Sequence, residues 1–252
     1  MPAQEALEIG LVEIRTRDLQ RAREYYEAVF GWTGTPVGDG SYAFLDTGKQ
    51  PIAALYEIGN RDIPVGVTPY LLAPEIDDVL ADVAKVGGEV LAPKSEWGAM
   101  GFWANTQDPW GNGVALLQPR SAWSPSYRAA PRHPIVWAEL RAPDLQAAVR
   151  YYKRVAGWSF QVKPGVDHFA FRSAGSHPVG VGLVGGARAD LLGQLTMYAR
   201  VDDLTEVGER VGRAGGSLSQ HSKTAPETGR IRIAYDPDGN AMGLFEDGPR
   251  GA

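Results

Sequence analysis

Cysteine is absent from this sequence. No disulfide framework, thiolate zinc site or cysteine nucleophile is therefore available. Long apolar runs are missing too. No stretch approaches the roughly 18 residues of a membrane span. The start, MPAQEALEIG, has neither a basic segment nor the apolar core of a secretion signal. A cytoplasmic protein is the expectation. Positive charge is scarce: Lys and Arg number 25 against 30 Asp and Glu, for a net charge of -5. Such a chain exerts no long-range pull on nucleic acid or on an anionic membrane. Histidine is rare, at His133, His168, His177 and His221, and no two stand at a His-x-His or His-x₃-His spacing. A G-x-S-x-G elbow, a P-loop and a G-x-G-x-x-G turn are also lacking.

What is present is a repeat. The segment IRTRDLQRAREYYEAVFGW (14–32) returns as LRAPDLQAAVRYYKRVAGW (140–158). Asp18, Leu19, Gln20, Tyr25, Tyr26, Gly31 and Trp32 recur as Asp144, Leu145, Gln146, Tyr151, Tyr152, Gly157 and Trp158. IDDVLADVAKVGGEV (76–90) matches VDDLTEVGERVGRAGGSL (201–218), and DPWGNGVALLQ (108–118) matches DPDGNAMGLFE (236–246). The repeat predicts one module over 1–120, a Pro- and Ser-rich linker over 121–134, and a second module over 135–252. Each half reads in the same order. A strand leads to a helix capped by Asp18 or Asp144 and closed by Gly31 or Gly157. Short alternating strands follow, then a strand, a second helix, and two strands joined by the Asp-Pro hairpin. The pattern is βαβββ twice per half, an α+β chain.

The ordered motifs Asp-Leu–helix–Tyr-Tyr–Gly-Trp, then VDDL, then DPDGN, occurring twice, resemble the vicinal-oxygen-chelate superfamily of glyoxalases, bleomycin-resistance proteins and extradiol dioxygenases. WAEL (137–140) is similar to the first strand of a two-module actinobacterial subgroup that includes a mycobacterial 27–30 kDa antigen. The resemblance implies tandem glyoxalase-like modules whose curved mixed sheets each enclose a concave cup. It also implies where metal ligands would stand: Leu11 and Trp137 on the first strands, Leu71 and Thr196 before the second helices, and Ala115 and Gly243 after the hairpins. None of these side chains suits a divalent ion beyond a weak Thr hydroxyl. No metal and no cofactor are expected.

Strand alternation assigns the cup-facing residues. Val12, Ile14, Ala138 and Leu140 pack toward helices. Leu11, Glu13 and Arg15, and Trp137, Glu139 and Arg141, then face the cup. Thr196, Tyr198 and Arg200 join them, with blander Leu71, Ala73 and Glu75 in the first half. Ala115, Leu117, Gly243 and Phe245 complete the set, and the working pocket is expected to draw on the second half. Glu13 and Glu139 have two readings: ion pairs with Arg15, Arg141 or Arg200, or a carboxylate desolvated against Trp137 that serves as a base. Small residues at 115 and 243 read either as close packing or as room for a larger ligand. Trp32 and Trp158 read as core. Trp97 and Trp103 flank a Gly-rich loop that could cover a pocket. The histidines read mainly as surface or turn residues, with His168 and His221 the better functional candidates.

The leading expectation is a protein that binds a small aromatic or amphipathic metabolite through Trp137, Arg141, Glu13, Arg15, His168, Phe245, Trp103 and His221. The alternative is a metal-independent isomerase, cyclase or hydrolase, with Glu139 as general base and Tyr198 and Arg200 stabilising an oxyanion. A second alternative is a metal-dependent lyase or dioxygenase with ligands relocated to Glu13, Glu139, His168 and His221. The expected partner is a small molecule, not nucleic acid or membrane, and the assembly is a monomer or homodimer.

Overall fold

The computed structural model describes residues 6–46, 51–120, 133–162, 169–172, 179–187, 193, 195–225 and 229–248. The first repeat runs β1 (Glu8–Thr16), α1 (Leu19–Phe30), β2 (Thr33–Val37), β3 (Tyr42–Asp46), β4 (Pro51–Glu57), β5 (Gly66–Leu72), α2 (Ile76–Lys85), β6 (Glu89–Glu96), β7 (Gly101–Gln107) and β8 (Gly113–Pro119). The second runs β9 (Ile135–Arg141), α3 (Leu145–Ala156), β10 (Gln161–Val162), β11 (Phe169–Arg172), β12 (Gly180–Val184), β13 (Thr196–Arg200), α4 (Leu204–Arg213), β14 (Ser217–Ala225), β15 (Gly229–Tyr235) and β16 (Ala241–Asp247). Each repeat builds one mixed eight-stranded sheet, ordered β2-β3-β4-β1-β5-β8-β7-β6 and β10-β11-β12-β9-β13-β16-β15-β14. The tandem glyoxalase-like α+β architecture is thus present, with identical strand order in both copies.

The helices start and stop where the sequence says. Asp18 and Asp144 accept hydrogen bonds from Arg21 N and Ala147 N, and the αL caps fall on Gly31 (φ 73°) and Gly157 (φ 68°). Behind the caps, Trp32 is wholly buried and Trp158 nearly so. Tyr26 stacks on Trp32 at 5.8 Å, and Tyr152 on Trp158 at 5.3 Å. Both tryptophans are core, as expected. No helix among the described residues is long and apolar enough to cross a membrane.

By contacts the chain divides into two compact units that cross the repeat boundary. One comprises Met1–Leu11, Thr68–Ser124 and Trp137–Leu195; the other comprises Val12–Val67, Pro125–Val136 and Thr196–Ala252. Within the second unit α1 packs on α4, and within the first α2 packs on α3. The Asp-Pro hairpins are the fasteners. Asp108 Oδ1 accepts from Trp110 N and Asn112 N, and its Oδ2 accepts from Asn112 Nδ2 and, at 2.7 Å, from Tyr152 Oη. Asp236 takes the same bonds from Asp238 N, Asn240 N, Asn240 Nδ2 and, at 3.0 Å, Tyr26 Oη. Each hairpin therefore grips the Tyr-Tyr helix of the other repeat. The motif is structural in both copies.

Three details differ from the expectation. The second-helix caps are Glu75 and Asp203, so Asp203 corresponds to Glu75 and not to Asp78. In β5, Tyr70 stands opposite Ala115 and Leu72 opposite Leu117, just as Tyr198 stands opposite Gly243 and Arg200 opposite Phe245. The residues facing with Ala115 are therefore Thr68, Tyr70 and Leu72. Leu71 pairs with Leu116 on the other face. His133 also departs from a surface role. It is 3% exposed, with φ 52°, its ring edge-on to Phe30 and its Nε2 3.3 Å from Arg210 Nη2. The apolar ring edge and the neighbouring polar group explain the burial.

Candidate functional site

The helix-free face of β9, β11 and β12 carries the residues predicted to matter most. On β9, Ala138 and Leu140 are buried while Trp137, Glu139 and Arg141 are partly exposed. In the neighbouring strand Gly180 stands opposite Trp137 and Gly182 opposite Glu139. The indole lies flat on those glycines: a Cβ would sit 2.6 Å from the ring at Gly180 and 2.8 Å at Gly182. Phe169 stacks beside Trp137 at 6.4 Å, and Phe171 beside Phe169 at 6.3 Å. Arg141 Nη2 donates to Glu139 Oε1 at 2.7 Å, with side chains 18% and 20% exposed. The ion-pair reading of Glu139 is the one present. The result is an aromatic platform beside a half-buried charge pair.

The equivalent face in the first repeat belongs to β1, β3 and β4. Glu13 stands beside Ala54 and Phe44, and Arg15 beside Tyr56 and Tyr42. Glu13 is 8% exposed and accepts from Tyr42 Oη at 3.3 Å. Tyr42 is edge-on to Phe44 at 5.5 Å and tilted to Tyr56 at 6.2 Å. This face is richer than expected. The overlooked signal is the alternation YAF at 42–44, repeated as FAF at 169–171. Ring, small residue, ring along a strand puts both rings on one face.

Tyr198, Arg200 and Phe245 come together on β13 and β16. Tyr198 is 7% exposed, and its ring covers Gly243 so closely that a Cβ there would fall within it. Room at Gly243 is thus taken by a tyrosine and is not open to a ligand. Arg200 is half-exposed and turned to Asp247 at 3.4 Å. Trp103 pairs with Leu117 on β7 and β8, on the face of Ala115 and Tyr70. Trp97 lies at 5.7 Å from Tyr70 and opens a short 3₁₀ turn, Gly98–Met100, between β6 and β7. His168 lies outside the described residues, and His221 is on β14 with no side chain described. Two cavities open on other surfaces. One of about 430 Å³ borders α2, lined by Pro74, Asp78 and Asp82 among others. One of about 310 Å³ lies between Trp110, Arg150 and Tyr151.

The Glyoxalase/Bleomycin resistance protein/Dioxygenase superfamily matches at residues 8–116 and again at 134–244. The chain belongs to that superfamily. Among curated relatives, the putative glyoxylase CFP32 of Mycobacterium bovis is 26% identical over 115 residues, a match spanning 44% of each chain and so less than half of CFP32. The anthracycline biosynthesis protein DnrV of Streptomyces peucetius is 24% identical over 93% of this chain and 91% of its own. Among solved structures, the 2,3-dioxygenase LapB from Pseudomonas sp. KL28 aligns with a TM-score of 0.64 at 16% identity, over 99% and 95% of the chains. The Mn(II)-bound glyoxalase from Novosphingobium aromaticivorans aligns with a TM-score of 0.67 at 16% identity, over 96% and 82%. Those likenesses establish the glyoxalase fold alone.

A divalent metal is what the superfamily implies, and the residues at its usual positions do not fit one. Leu11, Leu71 and Ala115 are fully buried and carry no donor. Trp137 lies flat on glycines, and Gly243 lies beneath the Tyr198 ring. Thr196 offers one hydroxyl and is 4% exposed; its counterpart by strand register is Thr68. Divalent ions take several ligands: carboxylate and carbonyl oxygens for the hard ions, imidazole as well for the transition metals. Among the described residues no group of three or more His, Asp or Glu comes together to hold an ion.

Proposed function

We propose that this superfamily member binds a small planar aromatic or amphipathic metabolite on its helix-free sheet faces. The observation that carries the reading is Trp137, laid flat on Gly180 and Gly182 beside Phe169. A broad π-face held in place by two glycines is built to stack on another flat ring. The Glu139–Arg141 pair beside it gives a ligand one donor and one acceptor. The anthracycline biosynthesis relative, similar over 93% of this chain, supports a polycyclic aromatic class. Titration calorimetry with planar aromatic acids, amides and quinones tests the proposal. Binding is expected, with Trp137→Ala weakening it about tenfold, or about 1.4 kcal/mol. No heat with any planar probe would sink it.

A second reading is metal-independent isomerase, cyclase or hydrolase chemistry with Glu139 as base. The half-buried carboxylate beside an indole supports it. Glu139 must then leave Arg141 to accept a substrate proton. Conversion of a bound ligand that stops in Glu139→Gln while binding persists separates this from binding alone.

A further inference from the structure

We infer that the helix-free face of the first repeat is an anion-anchored site in which Arg15 holds the carboxylate of an aromatic acid. The inference rests on the binding reading above and adds the ligand's charge and the repeat that holds it. The two repeats present the same Glu-x-Arg on the same strand, yet in different states. In the second, Arg141 is closed by Glu139 at 2.7 Å. In the first, the Arg15 guanidinium has no hydrogen-bond or ion-pair partner among the described residues, and its Nε is shut off from solvent without an acceptor. Other arginines in the sheets are satisfied: Arg172 by Glu8 and Arg200 by Asp247. A partly buried cation without a counter-charge is unfavourable unless something else supplies the charge.

The surroundings specify what would. The backbone is fixed, because Asn240 Nδ2 donates to the Arg15 carbonyl at 2.9 Å. Gly66 makes room for the tip of the side chain itself: a Cβ there would stand 2.7 Å from Nη2. Tyr56 and Tyr42 share the cross-strand row of Arg15, and Phe44 adjoins Tyr42. A guanidinium fork matches a carboxylate in a bidentate way, and the rings match its aromatic body. Glu13 accepts from Tyr42 and lies two residues along the strand, about 6.5 Å away.

Calorimetry on the full chain with 2-naphthoate and its neutral amide, 2-naphthamide, tests this. The naphthoate is expected to bind about tenfold or more tightly than the amide, as suits a charge-assisted pair. Arg15→Gln is expected to abolish that preference, Arg15→Lys to restore part of it, and Arg213→Gln, at an exposed position on α4, to leave it within about twofold. Thermal unfolding of each variant separates lost binding from lost fold, and Arg15→Lys carries the test if Arg15→Gln does not fold. Equal binding of both probes, unchanged by either Arg15 variant, would overturn the anchor while leaving the binding reading intact. A preference lost in Arg141→Gln and kept in Arg15→Gln would also overturn it. No binding of either probe would overturn the inference, and only silence from every planar probe would overturn the reading beneath it.

Discussion

Gly243 shows how one residue settles a chemical question. The superfamily pattern puts a carboxylate there, and this chain puts no side chain at all. The vacated volume belongs to Tyr198, whose ring lies over the glycine. In the first repeat Ala115 faces Tyr70, which leans on Trp97 instead. Gly243→Ala is therefore expected to push Tyr198 out of place and destabilise the fold by about 1–3 kcal/mol, as overpacking does. Urea unfolding measures it, and an unchanged midpoint would mean the ring has somewhere else to go. Gly180 and Gly182 obey the same logic beneath Trp137: the ring's position explains the glycines.

At the scale of the element, the Asp-Pro hairpins govern both architecture and pH response. Burial pushes the Asp108 and Asp236 carboxyls up from their ordinary value, against the downward pull of their Asn and Tyr donors. Burial and the adjacent carboxylates also raise Tyr26 and Tyr152 far above the usual phenol range, so these remain donors. A carboxyl raised in the fold binds its proton more tightly there than in the unfolded chain, whose value is about 3.9. These two groups therefore favour the fold at low pH and withdraw stability as the pH rises from about 4 through their folded values. Relative to an Asp108→Asn, Asp236→Asn double variant, the wild type is expected to lose stability over that interval and hold level above it. Denaturation at a series of pH values checks the sign. A difference that grows in favour of the wild type would contradict burial as the dominant cause.

At the scale of the molecule, repeat and compact unit do not coincide. Each sheet is made by one repeat, while each unit takes α1 with α4, or α2 with α3, across repeats. Cutting the chain between 120 and 135 leaves Tyr26 without Asp236, and Tyr152 without Asp108. It also separates each helix from the helix it packs on. Neither half, 1–120 or 135–252, is expected to unfold cooperatively by itself, and mixing the two is expected to restore a cooperative transition. Two halves that each melt cooperatively would show that a sheet and its own helices suffice.

Much of this protein was written into its sequence. Asp caps, αL glycines and the Tyr-Tyr and Gly-Trp pairs act through local backbone geometry, so they marked both helices and the repeat without a structure. Alternation on β9 placed Trp137, Glu139 and Arg141 on one face because a strand's period is fixed at two. The register of β5 was not legible, since IDD and VDD align by identity while the helix caps fall on Glu75 and Asp203. A shift of three along a strand changes the face, and only pairing with β8 decides it. Tertiary structure alone decided which Glu-x-Arg closes on itself, which ring fills Gly243, and which helix each hairpin grips. Those outcomes depend on side chains meeting across distant segments, where the sequence states identity but not distance.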